Sequence, residues 1–274
     1  MKKLNKSFKR FIKDVIKMIR KPVMSVLPGQ LSFFLLLSLI PIIMITGLIA
    51  SFFSISTDSI IDFISNSFPG GTSTLLIPLL SGRGIDYSII ILIVSALLLV
   101  SKGTRSIMRV ASTLYGSEDT NTIKEIIKSF ILAIILMLLI TFIIVIPVLG
   151  GKVLELLHNF ELVSVITDNI IIIYNLLKWP ISIFIIFICI KIIYTISPNK
   201  KIPGKTVNVG SLFTTILWTL ATSLYSFYIT HFSNYNIFYG SASNIIVLML
   251  WMYIISYIFV LGMSINASYI KSTE

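Results

Sequence analysis

An all-α fold crossing a membrane six times is what this sequence predicts, and three observations carry the prediction. Of 274 residues, 56% are apolar and 12% charged, too little charge to solvate a globular domain of that size. The apolar residues fall in runs of about 20 or more, the length that a hydrocarbon core of about 30 Å requires of a helix. Lys and Arg gather in alternate connections between those runs, as in polytopic membrane proteins. Helices follow because in lipid each backbone polar group must be satisfied within its own segment. A membrane barrel would show alternating strands of about ten residues, and none is present.

The elements can be justified in order. Residues 1–29 carry nine Lys/Arg and one acid. Leu4, Phe8, Phe11, Ile12, Val15, Ile16, Ile19 and Val23 recur with helical period, so an amphipathic basic helix is expected. It either lies on anionic lipid at the cytoplasmic interface or packs on the protein's own cytoplasmic side. Pro22 and the Pro28-Gly29 pair are expected to end it. The first span follows at 31–53, kinked at Pro41; it is too long for a secretory h-region and lacks a cleavage site. An outer loop precedes the second span, 86–104, which ends in Lys102, Arg105 and Arg109 and continues as a cytoplasmic helix to Leu114. The third span is 126–149, an outer segment covers 152–168, and the fourth span is 172–197. A turn (SPNKKIPGK) leads to the fifth and sixth spans at 209–232 and 242–265, and residues 271–274 form a cytoplasmic tail. All of 30–270 thus reads as one transmembrane domain.

Charge sets the orientation. The N-terminus, second connection (counted from Lys102 to Lys128), fourth connection and tail hold 9, 5, 3 and 1 Lys/Arg, and the three opposite segments hold 1, 1 and 0. Both termini are therefore expected in the cytoplasm. The formal net charge of +11 is then mostly a topology signal, and no nucleic-acid partner is required to account for it. Cys189, the single cysteine, excludes an internal disulfide.

Catalysis and metal binding need clustered carboxylates or histidines. The acids here are scattered, and the two histidines, His158 and His231, fall on the outer side. No HExxH, CxxC, GxSxG or nucleotide-binding pattern occurs. The expectation is no catalytic residue, no metal and no cofactor. Intramembrane polar residues are the functional candidates instead. Ser211, Thr215, Trp218, Thr222 and Tyr225 recur at intervals of 4, 3, 4 and 3 and share one face of the fifth span. That stripe either packs against a neighbouring helix, as small hydroxyl residues allow, or lines a polar conduit. The sixth span has a parallel stripe at Asn244, Trp251, Ile255, Phe259, Gly262 and Asn266, with Tyr253 and Tyr257 on a neighbouring face. Lys178 is either a buried charge near Asn175 or, with Trp179-Pro180 after it, an interfacial anchor.

Several stretches carry a family resemblance. They are LLSLIP, ending at Pro41; YTISPNKKIPGK, with Pro198; and then Tyr228, Phe232, Tyr235, Tyr239-Gly240-Ser241, Leu250-Trp251-Met252-Tyr253, Leu261-Gly262 and Asn266. In these the chain resembles the YihY/BrkB proteins, bacterial inner-membrane proteins once labelled as ribonuclease BN. The resemblance implies an integral protein of the bacterial cytoplasmic membrane, in a family suspected of transport. Many members read Gly-Ala-Glu where this chain has Gly262-Met263-Ser264, so coupling through that carboxylate does not carry over.

The expected function is movement of a lipid or amphiphilic solute, with Ser211, Thr215, Trp218, Thr222, Tyr225, Tyr253, Tyr257 and Asn266 along the pathway. The alternative is a membrane scaffold or envelope-assembly factor, in which the stripes are closed helix contacts. The bilayer, with anionic lipid at the basic N-terminal helix, is the expected partner, and a homo-oligomer is left open.

Overall fold

The computed structural model describes residues 16–17, 19–20, 22–52, 61, 65, 87–117, 123–136, 164–232 and 243–271. Their regular structure is entirely helical: α1 (Val23–Phe52), α2 (Tyr87–Tyr115), α3 (123–136), α4 (Ser164–Ile196), α5 (Asn208–Phe232) and α6 (Ser243–Lys271). Among the described residues, two helices are long and apolar enough to cross a membrane by length and composition, 208–229 in α5 and 243–270 in α6.

Three boundaries differ from the sequence expectation. Pro28-Gly29 does not end a helix; α1 begins after Pro22 and runs through both residues. Its entry is fixed by Ser25, whose N–H and hydroxyl both donate to the Pro22 carbonyl, at 3.1 and 2.6 Å. Met24, Pro28 and Leu31 are buried there. Burying a Met or Leu contributes about 1.5–3 kcal/mol, enough for the pair to offset the roughly 3 kcal/mol of an interior proline. α4 begins at Ser164, inside the expected outer segment, and its 33 residues contain Pro180. At about 50 Å it is longer than a hydrocarbon core. α6 runs six residues beyond the expected end of the sixth span. The basic N-terminal helix falls largely on residues outside those described.

α6 is the central element. It packs along α1 and α5 and touches α2, while α1 packs along α2 and α4 along α5. Every residue from 258 to 267 is buried, so this half of the helix is covered all round rather than on one stripe. α5 keeps an open apolar row at Leu212, Ile216, Leu220, Leu224 and Phe227, spaced to form one face.

A polar junction ties the helix ends together. α2 closes with Gly116 at φ 63°, where a left-handed residue lets the Ser117 N–H reach the Ser112 carbonyl at 3.1 Å, a Schellman cap. The Ser112 hydroxyl accepts from Asn199 Nδ2 at 3.2 Å, joining α2 to the α4–α5 turn. Lys128 of α3 donates to the Pro198 carbonyl at 2.6 Å, a cation at the C-terminal end of α4. Ser101 and Thr104 on α2 bond Ser129 on α3, at 3.0 Å to its hydroxyl and 2.8 Å to its carbonyl. Burial pushes the phenol of Tyr115, just before the cap, well above its usual range.

Candidate functional site

The two polar stripes turn out to be the two sides of one seam between α5 and α6. At one end the helices cross almost backbone to backbone. A Cβ on Gly210 would strike the Gly262 carbonyl, and one on Gly262 would strike the Thr214 hydroxyl and lie 2.9 Å from the Gly210 carbonyl. Only glycine permits this approach. Gly210 is in the first turn of α5, where backbone N–H groups have no intrahelical acceptor. Its N–H donates to Asn266 Oδ1 at 2.8 Å, so a side chain of α6 caps α5. Asn266 is fully buried, and its Nδ2 has no partner among the described residues.

Tyr194 of α4 locks the crossing from a third side. Its hydroxyl donates to the Phe259 carbonyl and sits 2.7 Å from both that oxygen and Thr214 Oγ1. Its ring lies 4.8 Å from that of Phe259, which stacks at 6.0 Å on Trp218. Further along, Trp218 Nε1 donates to the Ile255 carbonyl at 2.8 Å, and Tyr225 donates to the Val247 carbonyl at 2.9 Å. Trp251 Nε1 reaches Thr222 Oγ1 at 3.3 Å. Buried Trp and Tyr need such partners for their polar ends; here the second lone pairs of helix carbonyls supply most of them.

Ser211 and Thr215, fully buried, donate to carbonyls of their own helix, Val207 and Ser211, at 2.8 Å each. The stripe residues of α5 are therefore engaged in helix contacts. Tyr253 stands apart at 40% exposure, its ring 6.3 Å from Tyr257, which is partly buried against the core. Ser264 is buried on α6. Tyr239 and Gly240, and the side chains of Lys178 and Pro41, lie outside the described residues. Sequence reasoning assigned no role to Thr214 or Tyr194. A tyrosine inside an apolar run, whose hydroxyl must find a partner, was the available signal for the second. Replacing Tyr194 by Phe keeps the ring and removes both hydroxyl contacts. It is expected to lower stability by about 1–2 kcal/mol, read as a shift of the denaturation midpoint in detergent.

A second feature is a groove between α1 and α2, about 280 Å³ in volume, lined by Phe34, Lys102, Arg105, Ser106 and Arg109. Gly103 lets α1 and α2 approach closely beside it, because a Cβ there would strike the Ser38 hydroxyl and lie 3.4 Å from the Phe34 carbonyl. Neither α1 nor α2 contains an acidic residue. Lys102 and Arg109 are exposed and Arg105 is half-buried. Arg105 Nε and Ser106 Oγ are buried atoms without a partner among the described residues, and Ser106 is 2% exposed. Sequence reasoning saw these cations as the end of a span; it had no means of seeing the cavity. Among the described residues, no three His, Cys, Asp or Glu side chains come together.

Comparison with known proteins adds three findings. A family model described as "Virulence factor BrkB" matches residues 15–274. A Bacillus subtilis protein with the provisional name ribonuclease-like protein YfkH is 29% identical over 247 residues, 87% of either chain. Shorter matches join the chain to proteins named UPF0761 membrane protein. One from Pseudoalteromonas atlantica is 38% identical over 71 residues, 26% of this chain and 24% of that one. Another, from Vibrio cholerae, is 32% identical over 99 residues, 35% and 32% of the two chains. No solved structure matches.

Proposed function

The chain belongs to the BrkB family of membrane proteins, and on that premise we propose that it is a transporter-like protein handling a lipid or amphiphilic solute in the bacterial cytoplasmic membrane. In this reading all six predicted spans cross the bilayer, and the junction end of the bundle, with the α4–α5 turn, faces the cytoplasm. The observation that carries the reading is the α1–α2 groove. An apolar floor formed by Phe34 and the aliphatic stems of the basic residues lies beneath cations that have no acidic counterpart on either wall. That combination suits an amphiphile and moves the site away from the α5 stripe. No catalytic role is proposed, and the ribonuclease word in the B. subtilis relative's name stays with that protein.

Proteoliposomes test the proposal. With a quencher confined outside and a fluorescent phospholipid in both leaflets, quenching is expected to pass the protein-free level of about half. Changing Arg105 to Gln is expected to slow it. Quenching held at the protein-free level, for anionic and zwitterionic lipids alike, would remove lipid movement.

A second reading, a non-transporting scaffold, has its own support in the hydrogen-bonded closure of the α5–α6 seam. It predicts that variants of the groove leave envelope phenotypes unchanged while variants of the seam do not.

A further inference from the structure

We infer that the α1–α2 groove binds the phosphate-bearing headgroup of an anionic phospholipid, with Lys102, Arg105 and Arg109 gripping the phosphate. The inference rests on reading the groove as a place for an amphiphile, but it does not require that the amphiphile be moved.

The first support is the order of residues along one face of α2. Val94 and Leu98 are exposed and apolar; Lys102, Arg105 and Arg109 follow at successive helical turns. Spacings of 4, 4, 3 and 4 keep all five on one side of the helix. Read along the helix, this face is hydrocarbon first and cation second, the order of a phospholipid's chains and phosphate. On α1 the exposed Phe33 beside the groove-lining Phe34 extends the apolar part.

The second support is charge that the two walls of the groove leave uncompensated. Cations three and four residues apart on one helix face repel each other. Nothing on α1 or α2 neutralises them, since both helices lack carboxylates. An anion placed between them relieves that repulsion, and guanidinium groups hold phosphate oxygens in paired hydrogen bonds.

The third support is the unpaired donors. Ser106 lines the groove with its hydroxyl buried beneath the surface, and neither that hydroxyl nor the buried Arg105 Nε has a partner among the described residues. Buried polar atoms left alone are costly and uncommon. A phosphate at the mouth of the groove would accept from the half-buried Arg105 guanidinium and lessen that cost.

Size and depth select a lipid over a soluble anion. About 280 Å³ is room for a headgroup and too little for a whole lipid, so the chains must lie outside, along Val94 and Leu98. α2 is about 43 Å long for its 29 residues. That exceeds a core of about 30 Å; counted from Tyr87, Arg109 lies beyond that length, Arg105 at its edge and Lys102 one turn inside, from where its long stem reaches headgroup level.

The test uses the full-length protein in nanodiscs of phosphatidylcholine with a minor share of phosphatidylglycerol, followed by detergent extraction and measurement of retained lipid. Wild type is expected to retain phosphatidylglycerol over phosphatidylcholine. The double variant Lys102→Gln/Arg109→Gln, both exposed positions that leave the packing alone, is expected to lose most of that preference. At about fivefold per cation, the loss is on the order of 25-fold. The control Lys201→Gln/Lys205→Gln, on the exposed turn outside the groove, should keep the preference. Equal retention by wild type and the groove variant overturns the inference. So does an equal loss in the control, which would mean surface charge alone. Displacement of the lipid by inorganic phosphate at matched concentration overturns the choice of a lipid in favour of a soluble anion. Wild-type protein that moves lipid yet retains no preference for phosphatidylglycerol sinks this inference and spares the transport reading; a retained preference without movement does the reverse.

Discussion

Changing Gly262 to alanine is expected to destabilise the protein by about 2–3 kcal/mol, in spite of the roughly 1 kcal/mol that alanine gains over glycine in a helix. The new Cβ meets the Thr214 hydroxyl, the Tyr194 hydroxyl at 2.8 Å and the Gly210 carbonyl at 2.9 Å. The first two are side chains held in a hydrogen bond with each other, and the third is backbone of the facing helix. None yields without opening the α5–α6 crossing. Valine at the same place should cost more. The matched control is Gly29→Ala, where no atom lies within 4 Å of the added carbon; there stability should hold or rise. Both are read as denaturation midpoints in detergent. If Gly262→Ala is as neutral as Gly29→Ala, the helices do not approach as described.

Asn266 should give the other large effect, through a hydrogen bond rather than through volume. Its Oδ1 is the acceptor for the Gly210 N–H at 2.8 Å, and no intrahelical carbonyl can replace it in the first turn of α5. Asn266→Ala strands that donor and leaves a void beside it, for an expected loss of about 2–3 kcal/mol. Asn266→Leu refills the space but not the acceptor. It also removes the unpaired Nδ2, so its loss should be nearer about 1 kcal/mol. Hydrogen exchange locates the effect: the first-turn amides of α5 should exchange faster in both variants, while those around Leu224 stay as they were. Unchanged exchange at Gly210 in both would mean that Asn266 does not cap this helix.

The positions differ in how far the sequence could reach them. Periodicity identified the stripe of Ser211, Thr215, Trp218, Thr222 and Tyr225 and the stripe of Trp251, Ile255, Phe259, Gly262 and Asn266. It left helix packing and conduit as alternatives because a period reports which residues share a face, never what that face meets. The acceptors that α6 offers to α5 and α4 are largely backbone carbonyls, at Val247 and Ile255 for Tyr225 and Trp218 and at Phe259 for Tyr194. Every residue has one, so no residue type announces them. Thr214 and Tyr194 were missed for a related reason. Each matters only because α4, α5 and α6 converge on Gly262, and convergence is a property of three segments at once.

By itself the sequence determined that the chain is helical, where α5 runs and where α6 begins, and which family motifs it carries. These follow from local quantities: run length, helical period, and the positions of charge, proline and glycine. Tertiary structure alone decided that α1 continues through Pro28, that α6 is the covered centre, that two polar stripes close on each other, and that Lys102, Arg105 and Arg109 edge a groove floored by Phe34. The physical reason is the same in each case. The free energy of a proline, a buried amide or an unpaired cation depends on which atoms stand opposite it, and those atoms belong to segments far away in the chain.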